Sequence, residues 1–243
     1  MTKNEPIDSF EFQPGRVLAR KYEVVTLLGA GWEGEVYRLK EKRTGIERAA
    51  KFFFPHRNPK EKLSKIYAKK LHKLRKCDAI IQYHTEETIS FRRQELTFLV
   101  SEYVEGELLS SFLKRQRGGR IGAFEGLHLL YALTKGMEPI HALREYHGDL
   151  HPGNIFIKRN GLGFDVKLID FFHWDTHLKN ENIRDDVYDL VRLFYDAIGG
   201  SRYYSKHPQV VRDVCCGLRK TSIWKKYRTG GQLRRYLEAL EWT

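Results

Sequence analysis

The sequence contains few cysteines and no sign of a cysteine-based framework. Its three cysteines are Cys77, Cys215 and Cys216. Their spacing matches no common metal-binding cluster, and an adjacent pair is a poor disulfide framework. We therefore expect a protein of a reducing compartment.

Signals for secretion and for membrane insertion are also missing. Polar and acidic residues interrupt the first 13 positions, so the start of the chain does not resemble a signal peptide. No run of about 18 apolar residues occurs anywhere, which argues against a membrane-spanning helix. These absences predict a cytoplasmic protein with no membrane partner.

Acidic residues are outnumbered by basic ones. The chain has 43 Lys and Arg residues against 31 Asp and Glu residues, a formal net charge of +12. Residues 60–76 contain eight basic residues and one acid, and residues 219–235 contain seven basic residues and no acid. A solvated basic surface explains these segments, and so does a polyanionic partner such as RNA. Charge alone leaves both interpretations open.

The chain has enough apolar residues to form a sizeable core. Its 243 residues are 41% hydrophobic, which predicts one or two domains. Residues 1–20 lack periodicity and predict an irregular arm. Residues 21–104 are rich in short strand-like runs, whereas residues 105–243 are mainly helical in spacing. The expected class is α+β.

A glycine-rich turn joins the first two predicted strands, residues 22–28 and 29–37. Gly29-x-Gly31-x-x-Gly34 could open a dinucleotide-binding unit, but that unit requires a helix after the third glycine. Residues 35–40 instead alternate as a strand does. The pattern predicts a hairpin whose backbone can approach phosphates closely.

Lys51 lies in the next predicted strand, residues 47–54. By itself it could be a surface lysine, but after a glycine hairpin it is a natural ligand for the α- and β-phosphates of a nucleotide. A helix is predicted over residues 58–76, and two further strands over residues 80–82 and 95–100.

The second half of the chain predicts further helices around one motif. A helix over residues 127–146, kinked at Gly136 and Pro139, leads into the motif, and strands over 155–158 and 164–169 follow it. A helix over residues 185–195 is predicted to end at Gly199-Gly200, with two or three basic helices after it.

The motif itself runs from His147 to Asn154 and reads His-Gly-Asp-Leu-His-Pro-Gly-Asn. Its Asp149 and Asn154, with Asp170 at the end of an apolar strand, have the order and approximate spacing of a phosphoryl-transfer site. Such a site needs one carboxylate for the attacking hydroxyl and two oxygen ligands for magnesium.

Together these parts resemble the protein-kinase-like superfamily over residues 22–199. The resemblance rests on five parts in the same order: the glycine loop, the Ala-x-Lys strand, an acidic hinge at residues 102–104, His-x-Asp-x-x-x-x-Asn, and an Asp closing a hydrophobic strand. It implies a bilobal fold, with an antiparallel-sheet N-lobe (21–104), a small helical C-lobe (105–243), and a nucleotide cleft between them.

The resemblance also implies roles for individual residues. Lys51, Asp149, Asn154 and Asp170 would be catalytic, and Asn154 and Asp170 would hold Mg²⁺. Ser101 would be the gatekeeper. The residues implied in ATP binding are Leu28, Gly29, Gly31, Gly34, Val36, Ala49, Lys51, Glu102, Val104 and Phe156.

Several positions depart from the common kinase pattern. Tyr67 stands where the helix after Lys51 should carry a Glu, and Glu61 is predicted to point elsewhere. Phe172 replaces a glycine after Asp170-Phe171. His151 replaces the usual Lys and makes the motif more similar to those of aminoglycoside, choline and other atypical kinases such as the RIO type.

The resemblance implies an ATP- and Mg²⁺-dependent kinase acting on a hydroxyl group. Only about fourteen residues separate Asp170 from the next predicted helix, which makes ordinary docking of an extended peptide doubtful. The acceptor stays open between a protein Ser/Thr and a ribose hydroxyl of a structured RNA such as tRNA, bound through residues 60–76 and 219–235. A small-molecule kinase and a non-catalytic pseudokinase binding module are the alternatives.

Overall fold

The computed structural model describes residues 6–171 and 178–241. The chain divides into two compact units. The first, called the sheet unit, consists of Met1–Arg75 and Ile81–Val104, and the second, the helical unit, consists of Lys76–Ile80 and Glu105–Thr243. Strands dominate the first and helices the second, so the predicted α+β class is confirmed.

The sheet unit contains one six-stranded sheet in the order β1-β2-β3-β4-β6-β5. Every pairing in it is antiparallel. The three strands predicted after residue 21 are present as β2, β3 and β4. The bounds are β1 Val17–Leu18, β2 Tyr22–Ala30, β3 Gly34–Glu41, β4 Glu47–Phe53, β5 Tyr83–Phe91 and β6 Gln94–Glu102.

Side chains alternate between the two faces of β3 and β4, as strand geometry requires. Tyr37 and Phe52 are almost fully buried on one face, in the main apolar cluster of this unit. Val36 and Lys51 are register partners on the neighbouring strands and belong to the opposite face. The alternation therefore separates the core of the sheet from the face that carries the predicted lysine.

The segment predicted to be an irregular arm covers the apolar face of the sheet. Residues 6–16 contain no helix or strand, yet Phe10 is 2% exposed and Phe12 is 4% exposed. The Phe12 ring lies 5.0 Å from that of Phe52 and 5.2 Å from that of Tyr37, between ring centroids. The arm thus supplies part of the core.

A buried carboxylate ties this arm to β3. Glu35, 3% exposed, accepts hydrogen bonds from the Ser9 hydroxyl at 2.8 Å, the Phe10 N–H at 3.2 Å and the Tyr37 hydroxyl at 2.5 Å. Burial, reinforced by the hydrogen bond to this carboxylate, raises the pKa of Tyr37 well above its usual range. Three donors satisfy a charge that would otherwise be costly to bury.

The strand predicted at residues 80–82 is wrong. The β-pairing of Ile80 is an isolated parallel bridge with Leu168, and β5 begins at Tyr83. Arg92 and Arg93, with φ of 48° and 65°, form the two-residue turn to β6. Two consecutive positive φ values fit the type I′ turn that a tight hairpin favours, so the hairpin itself is as predicted.

The helix predicted over residues 58–76 is shorter in the structure. A 3₁₀ turn, Pro59–Glu61, precedes α1, Lys62–Lys73. The Asn58 side-chain oxygen accepts hydrogen bonds from the Leu63 N–H at 2.9 Å and the Ser64 N–H at 3.3 Å. These bonds satisfy two of the unpaired donors at the start of the helix.

The helical unit contains seven α-helices and a small antiparallel sheet among its described residues. The sheet has the order β7-β8-β9. Its strands are β7 Glu107–Leu108, β8 Ile155–Asn160 and β9 Gly163–Leu168. The helices are α2 Leu109–Arg115, α3 Ala123–Ala142, α4 Lys179–Ala197, α5 Gly200–Tyr204, α6 Gln209–Cys215, α7 Lys220–Lys226 and α8 Gly230–Glu238.

Three helix predictions need correction. The first long helix occupies α3, which starts and ends about four residues early and runs without interruption through Gly136 and Pro139. The next, α4, begins at Lys179 rather than near residue 185. After Gly199 there are four α-helices within the described residues, rather than two or three. None of the helices described is long and apolar enough to cross a membrane.

Candidate active site

The glycine turn between β2 and β3 has the predicted hairpin form. Gly29 pairs with Val36 across the strands, and the Gly31 N–H donates to the Gly34 carbonyl at 2.9 Å. A Cβ atom added at Gly29 or Gly31 would meet nothing within 4 Å. At these two positions the backbone is open to a ligand, which is the property required for close approach to phosphates.

Gly34 is needed for a different reason. A Cβ atom at this position would lie 1.8 Å from the Phe52 carbonyl oxygen and 2.9 Å from the Phe53 Cα. Both contacts are with the backbone of the paired strand β4, so neither can be relieved by a side-chain rotation. Gly34 is therefore a requirement of the sheet as well as part of the predicted nucleotide loop.

Alanine substitutions should separate these two roles. We expect G34A to lower the unfolding free energy by about 2–4 kcal/mol, because the strands must move apart to admit the methyl group. G31A should change it by less than about 1 kcal/mol. Urea denaturation of both variants checks this, and equal stability of the two would contradict the assignment.

Lys51 contacts a carboxylate and two aromatic rings. Its Nζ is 2.9 Å from the Glu33 carboxylate, 4.9 Å from the centre of the Tyr67 ring and 5.2 Å from that of Phe53. The side chain of Lys51 is 13% exposed and that of Glu33 is 29% exposed. The ammonium is thus held by an ion pair and by cation–π contacts at once.

The helix α1 provides no carboxylate for Lys51 in the expected way. Tyr67, at the position predicted to replace the usual Glu, presents its ring to the lysine. Glu61 instead accepts a hydrogen bond from the Thr97 hydroxyl at 2.5 Å and lies 2.9 Å from Lys65. The Thr97 hydrogen bond and then the Lys65 interaction lower the pKa of Glu61. The prediction that Glu61 points elsewhere is correct.

The remaining predicted nucleotide residues of the sheet unit lie on β2, β3, β4 and β6 or directly after β6. Ala49 is two residues before Lys51 and shares its face. Ser101, the predicted gatekeeper, is 9% exposed and directs its hydroxyl to the Ala49 carbonyl at 3.4 Å. The Glu102 N–H donates to the Gln82 carbonyl at 2.9 Å. Leu28, on β2, is 44% exposed, and Val104 follows the end of β6.

In the helical unit, Asp149 and Asn154 are in direct contact. The Asn154 amide nitrogen donates to the Asp149 carboxylate at 3.1 Å and to its carbonyl at 3.0 Å. Because the nitrogen is directed to Asp149, the amide oxygen is the atom of Asn154 that a cation would bind. The side chain of Asp149 is 55% exposed, so it can be reached by an acceptor hydroxyl.

His151 accompanies Asp149. Its Nδ1 accepts a hydrogen bond from the Gly153 N–H at 3.1 Å, which places the ring proton on Nε2. That nitrogen lies 3.7 Å from the Asp149 carboxylate. The residue that replaces the usual Lys of the motif therefore presents a proton-bearing nitrogen toward the carboxylate of Asp149.

Backbone contacts fix Asp170 relative to this loop. The Ile169 N–H donates to the Asn154 carbonyl at 3.0 Å, and the Ile169 carbonyl accepts from His147 Nε2 at 2.9 Å. The next residue, Asp170, has φ of 55°, a costly conformation for a residue other than glycine. Hydrogen bonds therefore join the stretch that contains Asp149 and Asn154 to the stretch that ends at Asp170. Phe156 lies on β8, and Phe172 falls outside the described residues.

A buried aspartate accepts hydrogen bonds from the backbone of the His147–Asn154 motif. Asp186 on α4 is fully buried and accepts three hydrogen bonds: from the His147 N–H at 2.7 Å, from the Gly148 N–H at 2.8 Å and from the His141 ring at 3.1 Å. His141 Nδ1 accepts from the Gly230 N–H at 2.9 Å, so its Nε2 carries the proton donated to Asp186. One carboxylate thus connects the motif with α3 and, through His141, with α8.

Sequence patterns alone do not assign a role to Asp186 or Glu33. Asp186 has a visible signal, since it is an acid on the apolar side of a helix, next to Val187 and three residues after Ile183. The sequence signal for Glu33 is weaker: it is an acidic residue inside a glycine-rich turn. Its contact with Lys51 depends on how the turn folds back along β4, which no spacing rule specifies.

The chain is similar to known protein kinases. The family model for the protein kinase domain matches residues 22–224. The serine/threonine-protein kinase pkn2 of Myxococcus xanthus is 28% identical over 156 residues, 64% of this chain and 18% of that protein. PknA of Corynebacterium glutamicum, named as a serine/threonine-protein kinase, is 36% identical over 74 residues, 30% of this chain and 15% of that protein.

A solved structure shows the same fold. The kinase domain of PknI from Mycobacterium tuberculosis, crystallised as a double mutant, aligns with a TM-score of 0.62 at 16% identity, covering 95% of this chain and 98% of that one. The chain spans less than a fifth of the length of the two curated relatives. With a family model covering most of its length, the chain belongs to the protein kinase domain family.

Proposed function

We propose that this protein is an ATP-dependent kinase that transfers the γ-phosphate to a Ser or Thr hydroxyl of a protein. The observation that carries the proposal is the Asp149–Asn154 pair, joined by backbone hydrogen bonds to the segment that ends at Asp170. Family membership and the names of the two curated relatives favour a protein acceptor.

Each proposed role follows from the chemistry of the side chain. Asp149 is exposed enough to accept the proton of the attacking hydroxyl and to orient it. Asn154 and Asp170 offer the hard oxygen atoms that Mg²⁺ prefers, and Mg²⁺ bound there would neutralise charge on the transferred phosphoryl group. Lys51 would hold the α- and β-phosphates beneath the open backbone of Gly29 and Gly31.

The nucleotide base has a proposed place in the sheet unit. Leu28, Val36 and Ala49 offer apolar contacts for adenine, and the backbone of Glu102 and Val104 offers polar groups for its edge. In the helical unit, Phe156 on β8 is proposed as an ATP-binding residue by its position in the kinase pattern. The Glu102 N–H donates a hydrogen bond to the Gln82 carbonyl. The carbonyl of Glu102 is therefore the backbone group of this residue that we expect to face the base.

A ribose hydroxyl of a structured RNA such as tRNA is the second candidate acceptor, motivated by the two basic segments. In residues 219–235, however, Lys220 pairs with Asp185 at 2.9 Å and Arg234 pairs with Glu138 at 2.6 Å. Part of that charge is therefore neutralised within the chain. In the segment 60–76, Lys65 pairs with Glu61 at 2.9 Å, and Lys60, Lys62 and Lys69 face solvent.

Labelling with radioactive ATP distinguishes the acceptors. The protein is incubated with ATP labelled in the γ-phosphate, Mg²⁺, and separate pools of total protein and total RNA from cells, with D149A as the control. We expect D149A-sensitive label in the protein pool, on serine or threonine. Label in the RNA pool alone would establish the second candidate, and no label in either pool, with ATP bound, would indicate a pseudokinase.

A further inference from the structure

The lysine predicted to bind phosphate has an acidic partner in an unexpected place. The partner is Glu33, which lies in the glycine turn between Gly31 and Gly34 rather than on α1. The position on α1 that would face Lys51 is occupied by Tyr67, whose ring contacts the ammonium without offering a negative charge. The turn therefore provides a carboxylate for Lys51, and the helix provides an aromatic ring.

The contact follows from the pairing of the strands. Gly34 is the register partner of Phe53, and the Phe54 N–H donates to the Glu33 carbonyl at 2.9 Å. These two contacts hold the backbone of Glu33 against the end of β4. Because Lys51 is two residues before Phe53, its side chain lies on the same face of β4. The local geometry thus brings the two charges together.

The charges matter because a lysine side chain is flexible. Fixing the long lysine side chain in one conformation costs rotamer entropy. If a carboxylate already orients the ammonium before a nucleotide binds, less of this entropy is lost on binding. The rings of Phe53 and Tyr67 attract the ammonium but leave its direction loosely defined. The Glu33 carboxylate, at 2.9 Å, supplies the directional contact.

We propose that Glu33 is the positioning residue of Lys51, replacing the helix glutamate of the kinase pattern. The proposal rests on the proposed function, since it assigns Lys51 to nucleotide phosphates. Both members of the pair belong to the β2–β3–β4 part of the sheet, since Glu33 lies in the β2–β3 turn and Lys51 lies on β4. The ion-pair contribution to the orientation of Lys51 then comes from the hairpin, while α1 contributes the ring of Tyr67.

The test compares E33Q with a matched control. Glutamine keeps the size of the side chain and removes its charge. The control is E87Q, which removes a carboxylate from another lysine pair, since Glu87 on the edge strand β5 of the same sheet lies 2.6 Å from Lys21. For E33Q we expect kcat/KM for ATP to fall about tenfold, equivalent to about 1.4 kcal/mol of lost transition-state stabilisation. E87Q should leave it unchanged.

A second readout does not require activity. Trace acylation of lysine amines, read by mass spectrometry, should be about two- to fivefold faster at Lys51 in E33Q, because the ammonium has lost an ion pair. In E87Q the faster residue should be Lys21, with Lys51 unchanged. A purely structural effect of E33Q would instead alter many lysines together.

Two results would overturn the proposal. The first is unchanged acylation of Lys51 in E33Q. The second is tighter ATP binding by E33Q with kcat equal or higher, which would mean that Glu33 competes with phosphate. If wild-type protein binds ATP and Mg²⁺ but transfers no phosphate, the proposed function fails, and weaker ATP binding by E33Q together with faster acylation of Lys51 still supports the role of Glu33.

Discussion

Replacing Asp149 by Asn is expected to lower kcat for phosphoryl transfer by a factor of about 10² to 10⁴, the usual contribution of a general base. The amide is close in size to the carboxylate, but it cannot accept the proton of the attacking hydroxyl. Steady-state kinetics with the labelled protein pool, or with the acceptor identified from it, measures the change. ATP affinity should stay within about threefold, since Asp149 is not among the residues assigned to the nucleotide.

Exposure of Asp149 makes this variant interpretable. Its side chain is 55% exposed, so the unfolding free energy should change by less than about 0.5 kcal/mol. D165N, on the exposed part of β9, is the matched control and should retain full activity. If D149N keeps more than about a tenth of the wild-type kcat, the role of general base is wrong.

Replacing Asp186 by Asn is expected to lower the unfolding free energy by about 2–4 kcal/mol, because a buried acceptor would become a donor. Oδ1 of Asp186 accepts from the Gly148 N–H, and Oδ2 accepts from the His147 N–H and from His141. Whichever way the new amide turns, its NH₂ group faces an N–H donor. At least one donor loses its acceptor in a site with no exposure to water.

The neighbouring residue provides the control for this variant. Asp185, on the same helix, has 45% of its side chain exposed and pairs with Lys220. D185N should change the unfolding free energy by less than about 1 kcal/mol, as exposed ion pairs usually do. Urea denaturation followed by circular dichroism measures both variants. Equal stability of D186N and D185N would show that the buried hydrogen bonds to the motif contribute little.

Local sequence patterns predict strands and helices correctly where a single pattern, such as strand alternation, applies. Alternation after Gly34 predicted a strand, and the structure has β3 there. The boundaries were less accurate where two rules compete. Residues 80–82 are apolar enough for a strand, but the partner that Ile80 finds is a single bridge to Leu168, and the pairing with β6 begins only at Tyr83. Partner choice depends on residues far away in sequence.

The arm shows another limit of local patterns. Residues 6–16 have no periodicity, so no helix or strand is predicted and none forms. Their contribution to the core comes from Phe10 and Phe12, which pack against rings of β3 and β4. An irregular segment can bury apolar side chains whenever its backbone donors find partners, here Glu35 and the hydroxyl of Tyr37.

The sequence by itself determined the order of the parts: a glycine turn, a strand lysine, an Asp and Asn in one motif, and a second Asp after a strand. These are set by residue type and spacing, because each depends on a turn or a strand of a few residues. Only the tertiary structure decided which groups support them. Glu33 meets Lys51 because the turn folds along β4, and Asp186 meets the motif because α4 packs beneath it. Such contacts depend on strand register and helix packing, which connect residues distant in the chain.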